Sequence, residues 1–440
     1  MSFPKVIIIQ TTPYDTQYSS RTLDAYFHFW NRDNVRQIFS RNINPQKGHC
    51  SELYQITDAN LLKRWLRKIK EPGIIYYYKD LDCQGANRAS SDGELISKTY
   101  KIGRKHTPSI ELLREVLWRK KYWCTDKLVS WLDEYQPDLV FYNFSNNLFL
   151  QKIVLFIADR YNIPVITAVG DDYYFNDRKS FSLSYLLFRR KFKALTEKVF
   201  KRPGSAVYAC DKVRDKYNSF FGLNGETIYF NSNMKRKAFM PINQECPSIV
   251  YFGNIRLGRN FALVELADAL KSVNSNYKLQ VFSNEVDDTY TSVLTNHSNI
   301  EYCGAISYDR VQEKAFECDI YVVVESFNKE DIAFTEYSLS TKAADGLKSG
   351  ALVLAYGPIE SGVIDYLNKT QAAAVCTDKN TLAKVLSHAI SDVQYQEELY
   401  NRSNSISEIN HTVQGSTKSF INVVSKVIEE NMSKLKYSTR

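Results

Sequence analysis

The chain has 440 residues, too many for one hydrophobic core and about right for two domains of ordinary size. Hydrophobic residues make up 44% and charged residues 24%, the balance of a folded globular chain, which excludes the disordered, collagenous and coiled-coil classes. With 57 basic against 49 acidic residues the net charge is +8, so its placement along the chain matters more than its size.

The opening Met1-Ser-Phe-Pro-Lys-Val-Ile-Ile-Ile has an apolar run without a cleavage site and reads as a first strand, not a signal peptide. No stretch approaches the roughly 20 apolar residues that span a bilayer, so a cytoplasmic location is expected. Short apolar runs alternate with longer amphipathic stretches throughout, the pattern of βαβ units and parallel sheets. In the first half this predicts strands at 6–10, 74–78, 138–143, 164–169, 206–209 and 227–229, with a polar surface loop over 85–107. The loop after the first strand carries Asp15, Ser20 and Arg21, candidates for ligand contact. The strand at 164–169 runs into Gly170-Asp171-Asp172-Tyr173-Tyr174. A carboxylate pair at a strand end either acts on a ligand, as a base or hydroxyl acceptor, or closes a capping turn.

The charge excess concentrates in residues 181–202, which hold Arg189, Arg190, Lys191, Lys193, Lys198, Lys201 and Arg202 against Glu197 alone. Phe181, Tyr185, Phe188, Phe192, Leu195 and Val199 recur there at helical spacing and share one face. An aromatic face beside a basic one suits an anionic membrane surface, and equally a core helix with a solvated basic side. Nucleic acid is not expected, because no recognised motif accompanies the patch.

The stretch 240–247 contains two prolines and interrupts the pattern, so the domain boundary is placed at 245/246. Strands are then expected at 248–252, 278–282, 300–302, 320–324, 352–355 and 372–375, and a last helix from 416 to about 433. The domains are therefore 1–245 and 246–415, with the helix of 416–440 packing back on the first. Eight cysteines without a C-x-x-C pair and six scattered histidines suggest buried thiols and no metal site.

Two stretches carry chemistry. In Ile249-Val-Tyr-Phe-Gly-Asn-Ile-Arg-Leu-Gly-Arg-Asn, Gly253, Asn254 and Gly258 form a loop between a strand and a helix, and Arg256 and Arg259 add two charges able to neutralise a diphosphate; the plain alternative is a solvated turn. In Glu336-Tyr-Ser-Leu-Ser-Thr-Lys-Ala-Ala-Asp, Ser340 or Thr341 caps a helix whose N-terminus can receive phosphate beside Lys342. Asp345, one turn on, suits the hydroxyls of a ribose, or simply the electrostatics of a helix start.

The order Phe-Gly-Asn-Ile-x-x-x-Arg, Val-Glu-Ser, then Ser-x-Ser-Thr-Lys-x-x-Asp-x-Leu-x-Ser-Gly-x-x-Val-Leu-Ala-Tyr-Gly-Pro resembles the nucleotide-sugar half of GT-B glycosyltransferases, specifically glycosyltransferase family 4, over residues 249–386. The resemblance implies an α/β architecture of two Rossmann-like doubly wound parallel-sheet domains with a cleft between them. It implies a nucleotide-sugar donor as substrate, a saccharide or lipid-linked saccharide acceptor, no cofactor and no metal, and retaining transfer in cell-surface polysaccharide or glycoconjugate assembly. It places Arg256 and Arg259 on the donor diphosphate, Asp345 where a Glu usually binds ribose, and Gly304, Ala305 and Ile306 along the base. The paired-Glu spacing of the family is broken: eight residues before Asp345 stands Tyr337, with Glu336 beside it. The catalytic acid thus stays open among Glu325, Glu330 and Glu336. In the first half, Leu128-Val-Ser-Trp-Leu-Asp-Glu-Tyr-Gln-Pro-Asp-Leu-Val-Phe-Tyr is similar to the helix and strand of the family's acceptor domain; the first loop, opening onto the same edge but lacking the family's glycines, makes Asp15, Ser20 and Arg21 candidate acceptor contacts, and Asp171 and Asp172 at their strand end are candidates for sugar contacts or a base. If the basic helix meets a membrane, the protein sits on the inner face of the plasma membrane. The alternatives are a non-catalytic partner of another transferase, or an epimerase or hydrolase on the same fold.

Overall fold

In the computed structural model of the protein, residues 3–15, 20–81, 108–177, 180 and 182–438 are described. The chain forms two compact units: unit 1 is Met1–Tyr208, Arg214–Thr227 and Thr417–Arg440, and unit 2 is Ala209–Val213 and Ile228–Ser416.

The strands of unit 1 are β1 (Val6–Ile9), β2 (Val35–Phe39), β3 (Glu52–Ile56), β4 (Gly73–Tyr77), β5 (Leu139–Asn143), β6 (Val165–Val169), β7 (Gly204–Tyr208) and β8 (Glu226–Thr227). They pair in the order β4-β3-β2-β1-β5-β6-β7-β8, all parallel except β4 against β3. β1 lies between β2 and β5, Val6 opposite Val35 and Leu139, and all four of its residues are buried, as a strand covered on both faces requires.

Two of these strands, β2 and β3, escape the sequence pattern. Arg36, Gln37, Glu52 and Gln55 break their apolar runs, and the fold pairs each of these groups internally. Arg36 donates to the Trp131 carbonyl at 3.0 Å and to Glu52 at 2.6 Å, Gln37 accepts from the Tyr14 amide, and Gln55 donates to the carbonyls of Arg41 and Ile43. A buried polar group is tolerated in a sheet when it is hydrogen-bonded, so polarity alone does not exclude a strand.

Helices α1 (Ser20–Phe27), α2 (Asp58–Trp65), α3 (Pro108–Leu117), α4 (Lys120–Trp123), α5 (Asp126–Tyr135), α6 (Leu148–Tyr161), α7 (Leu183–Phe200) and α8 (Asp211–Phe221) accompany this sheet in the chain. The basic segment forms α7, and the structure decides its aromatic face: Phe188, Phe192 and Val199 are buried, with Phe192 5.9 Å from Phe144 and Phe200 stacked on Phe221 at 4.4 Å. The aromatic face is core and is not available to a membrane. Arg189 is buried too, donating to Asp177 and to the carbonyls of Tyr173 and Tyr174, and Lys193 pairs with Asp177. Phe181 lies outside the described residues.

Unit 2 has strands β9 (Ile249–Phe252), β10 (Leu279–Phe282), β11 (Ile300–Gly304), β12 (Ile320–Val324), β13 (Leu352–Tyr356) and β14 (Ala374–Cys376), all parallel, in the order β11-β10-β9-β12-β13-β14. Its helices are α9 (Arg259–Val273), α10 (Asp288–Thr295), α11 (Tyr308–Glu317), α12 (Lys329–Thr335), α13 (Thr341–Ser349), α14 (Gly362–Thr370), α15 (Leu382–Ser391) and α16 (Val393–Asn410); α17 (Val413–Ser438) begins here and ends in unit 1. Leu263, Leu266 and Leu270 of α9 recur at helical spacing and close one face of the sheet over Ile249, Tyr251 and Val322. Residues 228–245, read from the sequence with the first domain, belong to unit 2. Arg236 donates to the carbonyls of Leu347 and Tyr400, and the Lys237 amide to Ser349. In unit 1, Phe420 of α17 packs against Tyr26, Phe27, Trp30 and Phe141 at 5.1–5.8 Å. Among the described residues, no helix is long and apolar enough to cross a membrane.

Because Phe192 is fully enclosed, Phe192→Ala is expected to destabilise unit 1 by about 3–5 kcal/mol in denaturant unfolding. Leu187→Ala, on the solvent side of the same helix, is expected to change stability by less than about 0.5 kcal/mol. Equal effects at the two positions would contradict the burial described.

Candidate functional site

The order of strands in unit 2 reverses between β9 and β12, which lie side by side. In open parallel sheets such a switch point, at the C-terminal ends of the strands, is where the two following loops part and leave room for a ligand. The loop after β9 is Gly253 to Gly258, and the residue after β12 is Glu325.

Gly253 and Gly258 are needed for steric reasons. Gly253 has φ 122°, and a Cβ there would stand 2.6 Å from Cε of Lys342. Gly258, the N-cap of α9, has φ 67°, and its Cβ would meet Ser326 Oγ at 2.4 Å and an Asp331 oxygen at 2.5 Å. A side chain at either position would push apart the groups that meet here. Asn254 braces the loop, its side chain accepting from the Arg256 amide at 2.7 Å and its carbonyl from the Tyr251 hydroxyl at 2.6 Å.

Arg259 at the start of α9 donates twice to Glu325, at 2.9 and 3.0 Å, with both side chains largely buried. This is the two-pronged geometry that only a guanidinium supplies. Lys342 approaches from α13. Ser340 is the N-cap of that helix, accepting from the Lys342 amide at 3.3 Å, and the Lys342 ammonium donates to the Tyr251 hydroxyl at 2.7 Å. Burial of the amine, reinforced by the nearby Arg259 charge and only partly opposed by Glu325, pushes the lysine down to about 7. Arg259, Lys342 and the first turn of α13 therefore bring positive charge and the positive end of a helix dipole to the switch point. This is a setting for a phosphate-bearing ligand.

Other predicted residues fall differently. Arg256 is half exposed and pairs with Glu285, whose carboxyl that hydrogen bond holds down to about 2. Asp345 lies one turn into α13 as expected, yet it is buried and accepts from the Ser232 hydroxyl at 2.7 Å, so it is not an open carboxylate at the rim. Glu336 follows α12 as its C-cap and Glu330 sits in that helix's first turn. Gly304, with φ 70°, ends the edge strand β11, two strands from β9; Ala305 is exposed there and Ile306 half-buried. Sequence reading missed Tyr251, Glu285 and Ser232, the partners of Lys342, Arg256 and Asp345. Tyr251 had one signal, its place two residues before the glycine loop.

In unit 1, Asp172 accepts from the amides of Tyr174 and Phe175 and from the Tyr217 hydroxyl, at 2.8–3.1 Å, which is the capping turn of the two sequence readings. Asp171 beside it is exposed. Asp15 is buried, bridges to Gly48 and accepts from the Gln46 amide at 2.9 Å, holding its own loop. The side chains of Ser20 and Arg21 lie outside the described residues.

No protein-family profile matches the chain, and no curated sequence does. Solved structures do. HepE from Anabaena in complex with UDP has a TM-score of 0.57 at 12% identity, over 96% of this chain and 100% of that one. Sucrose-phosphate synthase from Thermosynechococcus elongatus gives 0.54 at 10%, over 97% and 99%. WaaG, a glycosyltransferase involved in lipopolysaccharide biosynthesis, gives 0.52 at 11%, over 95% and 99%. At these identities the likeness establishes a shared fold.

The unfolded chain keeps Lys342 protonated up to its ordinary range near 10.5, whereas the folded chain releases that proton above about 7. Between these limits the unfolded state binds more protons, so this lysine makes stability rise with pH, by at most about 1.4 kcal/mol per unit. Lys342→Met is expected to flatten the stability profile between pH 7 and 10 in denaturant titrations. An unchanged slope would mean that the amine is not held in the enclosed position described.

Proposed function

We propose that this chain, which has the GT-B fold, transfers a sugar from a nucleotide-sugar donor to a saccharide acceptor, unit 2 holding the donor and unit 1 the acceptor. The observation that carries the reading is the meeting of Arg259, Lys342 and the capped N-terminus of α13 at the switch point of the unit 2 sheet. Transfer breaks the anomeric C–O bond to the diphosphate and forms a bond to the acceptor oxygen, whose proton departs. Negative charge builds on the leaving diphosphate, and fixed positive groups at that position lower the barrier because they need no reorganisation. Glu325 acts as a positioning residue, aiming the Arg259 guanidinium. HepE, which shares the fold, is known in complex with UDP and with UDP-glucose, so a uridine diphosphate sugar is the first donor to test.

The retaining, metal-independent course rests on the family-4 resemblance. The role in cell-surface polysaccharide or glycoconjugate assembly, with a saccharide or lipid-linked saccharide acceptor, draws on the likeness to WaaG. A non-catalytic donor-binding protein is the second reading, favoured by the burial of Asp345 on Ser232 and by Glu336 standing out of step with it. That reading forecasts UDP binding with no release of UDP from UDP-sugars in the presence of saccharide acceptors.

Calorimetry tests the site itself. Lys342→Met and Arg259→Lys are each expected to weaken UDP at least tenfold while leaving uridine within about twofold, because a charge-assisted contact contributes roughly 1.5–3 kcal/mol. Binding of UDP near pH 8 should draw a proton onto Lys342, seen as a heat that varies with buffer ionisation and is lost in Lys342→Met. Equal losses for uridine and UDP would reject the diphosphate assignment.

A further inference from the structure

With its aromatic face in the core, α7 presents a different stripe to solvent. Leu183, Leu186, Leu187, Arg190, Lys191 and Lys198 are all exposed, Leu183 by 83%, and their spacing of three and four places them on one side of the helix. Beside it, α3 exposes Leu113, by 74%, and Val116. The first turns of the two helices meet through the hydroxyls of Ser109 and Ser184, 3.0 Å apart, which sets α3 beside α7. Three leucines exposed on one face over neighbouring turns of α7, with two more apolar side chains exposed on the helix beside it, are of the kind that marks an interaction surface, unlike singly scattered ones.

Charge identifies the occupant. Every acid of these helices is engaged: Glu111 with Arg114, Glu115 with Lys152, and Glu197 with the Tyr174 hydroxyl. Arg190 and Lys191, on the turn of α7 that follows Leu186 and Leu187, are exposed and have no acidic partner among the described residues. Leu183 and Arg190 are seven residues apart, about 10 Å along a helix axis. That matches the depth over which an apolar surface enters a bilayer while its cations stay at the headgroups.

We infer that α7, with α3 beside it, docks unit 1 on an anionic lipid bilayer, the leucines entering the acyl boundary and Arg190 and Lys191 meeting lipid phosphates. The surface stands on its own exposure and charge and does not require the transferase reading; if both hold, it brings unit 1 to the bilayer in which a lipid-linked acceptor would reside.

The full chain should co-sediment with phosphatidylcholine vesicles containing about one third phosphatidylglycerol and not with phosphatidylcholine alone. Binding should weaken as salt shortens the Debye length from about 10 Å at 0.1 M. The triple change Leu183→Ser, Leu186→Ser, Leu187→Ser is expected to reduce binding at least tenfold without lowering the melting temperature. Arg190→Gln and Lys191→Gln should each reduce it about fivefold. UDP calorimetry on the same preparations keeps the two readings apart, since docking can persist without UDP binding and the reverse. Equal binding to neutral and anionic vesicles, or a triple variant that binds like the wild type, overturns the inference. So does a wild-type dimer in sedimentation velocity that the triple variant dissociates, because the leucines would then cover a second copy.

Discussion

One carboxylate at the switch point of unit 2 stands near two cations and can fully neutralise only one. Glu325 commits both oxygens to Arg259, and Lys342 reaches the uncharged phenol of Tyr251 instead. Bringing two positive charges together while excluding water costs free energy, and the lysine relieves that cost by releasing its proton near neutral pH. An arriving anion reverses the balance, because it makes the protonated lysine favourable again. The site thus holds its second positive charge loosely, and an anion bound beside the lysine would fix it.

That charge arrangement depends on backbone geometry more than on side-chain choice. β9 and β12 are adjacent only because the strand order reverses between them, and this places the Gly253 loop and Glu325 side by side although they are separated by some seventy residues of chain. Gly253 leaves space for the stem of Lys342 to cross, and Gly258 lets α9 start close enough to β12 for Arg259 to meet Glu325 with both prongs. Remove either space and the cations part.

Unit 1 uses its basic residues in two ways along one helix. Arg189 and Lys193 turn inward to Asp177 and to the carbonyls of the segment after β6, and Asp172 closes the same segment from the other side through Tyr217. Arg190 and Lys191, next in sequence, point to solvent with the exposed leucines. A shift of one residue on a helix turns a side chain by about 100°, so neighbouring identical charges acquire unrelated roles.

The sequence by itself determined the strands of unit 2 and the stretches that form its candidate site. Runs such as Ile320-Tyr-Val-Val-Val and the glycines and Ser-Thr-Lys beside them record local requirements: burial on both faces, positive φ, a helix cap. It also located α5 and β5 through the run from Leu128 to Tyr142 and its Pro-Asp turn. Only the tertiary structure decided what depends on partners distant in the chain. Arg36 and Glu52 interrupt apolar runs, and only the fold shows them neutralising each other inside a sheet, which is why β2 and β3 were illegible. Asp345 reads as a ribose ligand or a helix-start charge, and only the fold shows Ser232 against it; Arg256 and Arg259 read as equals until Glu285 takes one at the surface and Glu325 the other within. The aromatic face of α7 has the same period whether lipid or protein covers it, and packing against Phe144 settled it as core. Periodicity and turn chemistry are properties of neighbours in sequence; the counter-charge or covering surface of a side chain is a property of neighbours in space.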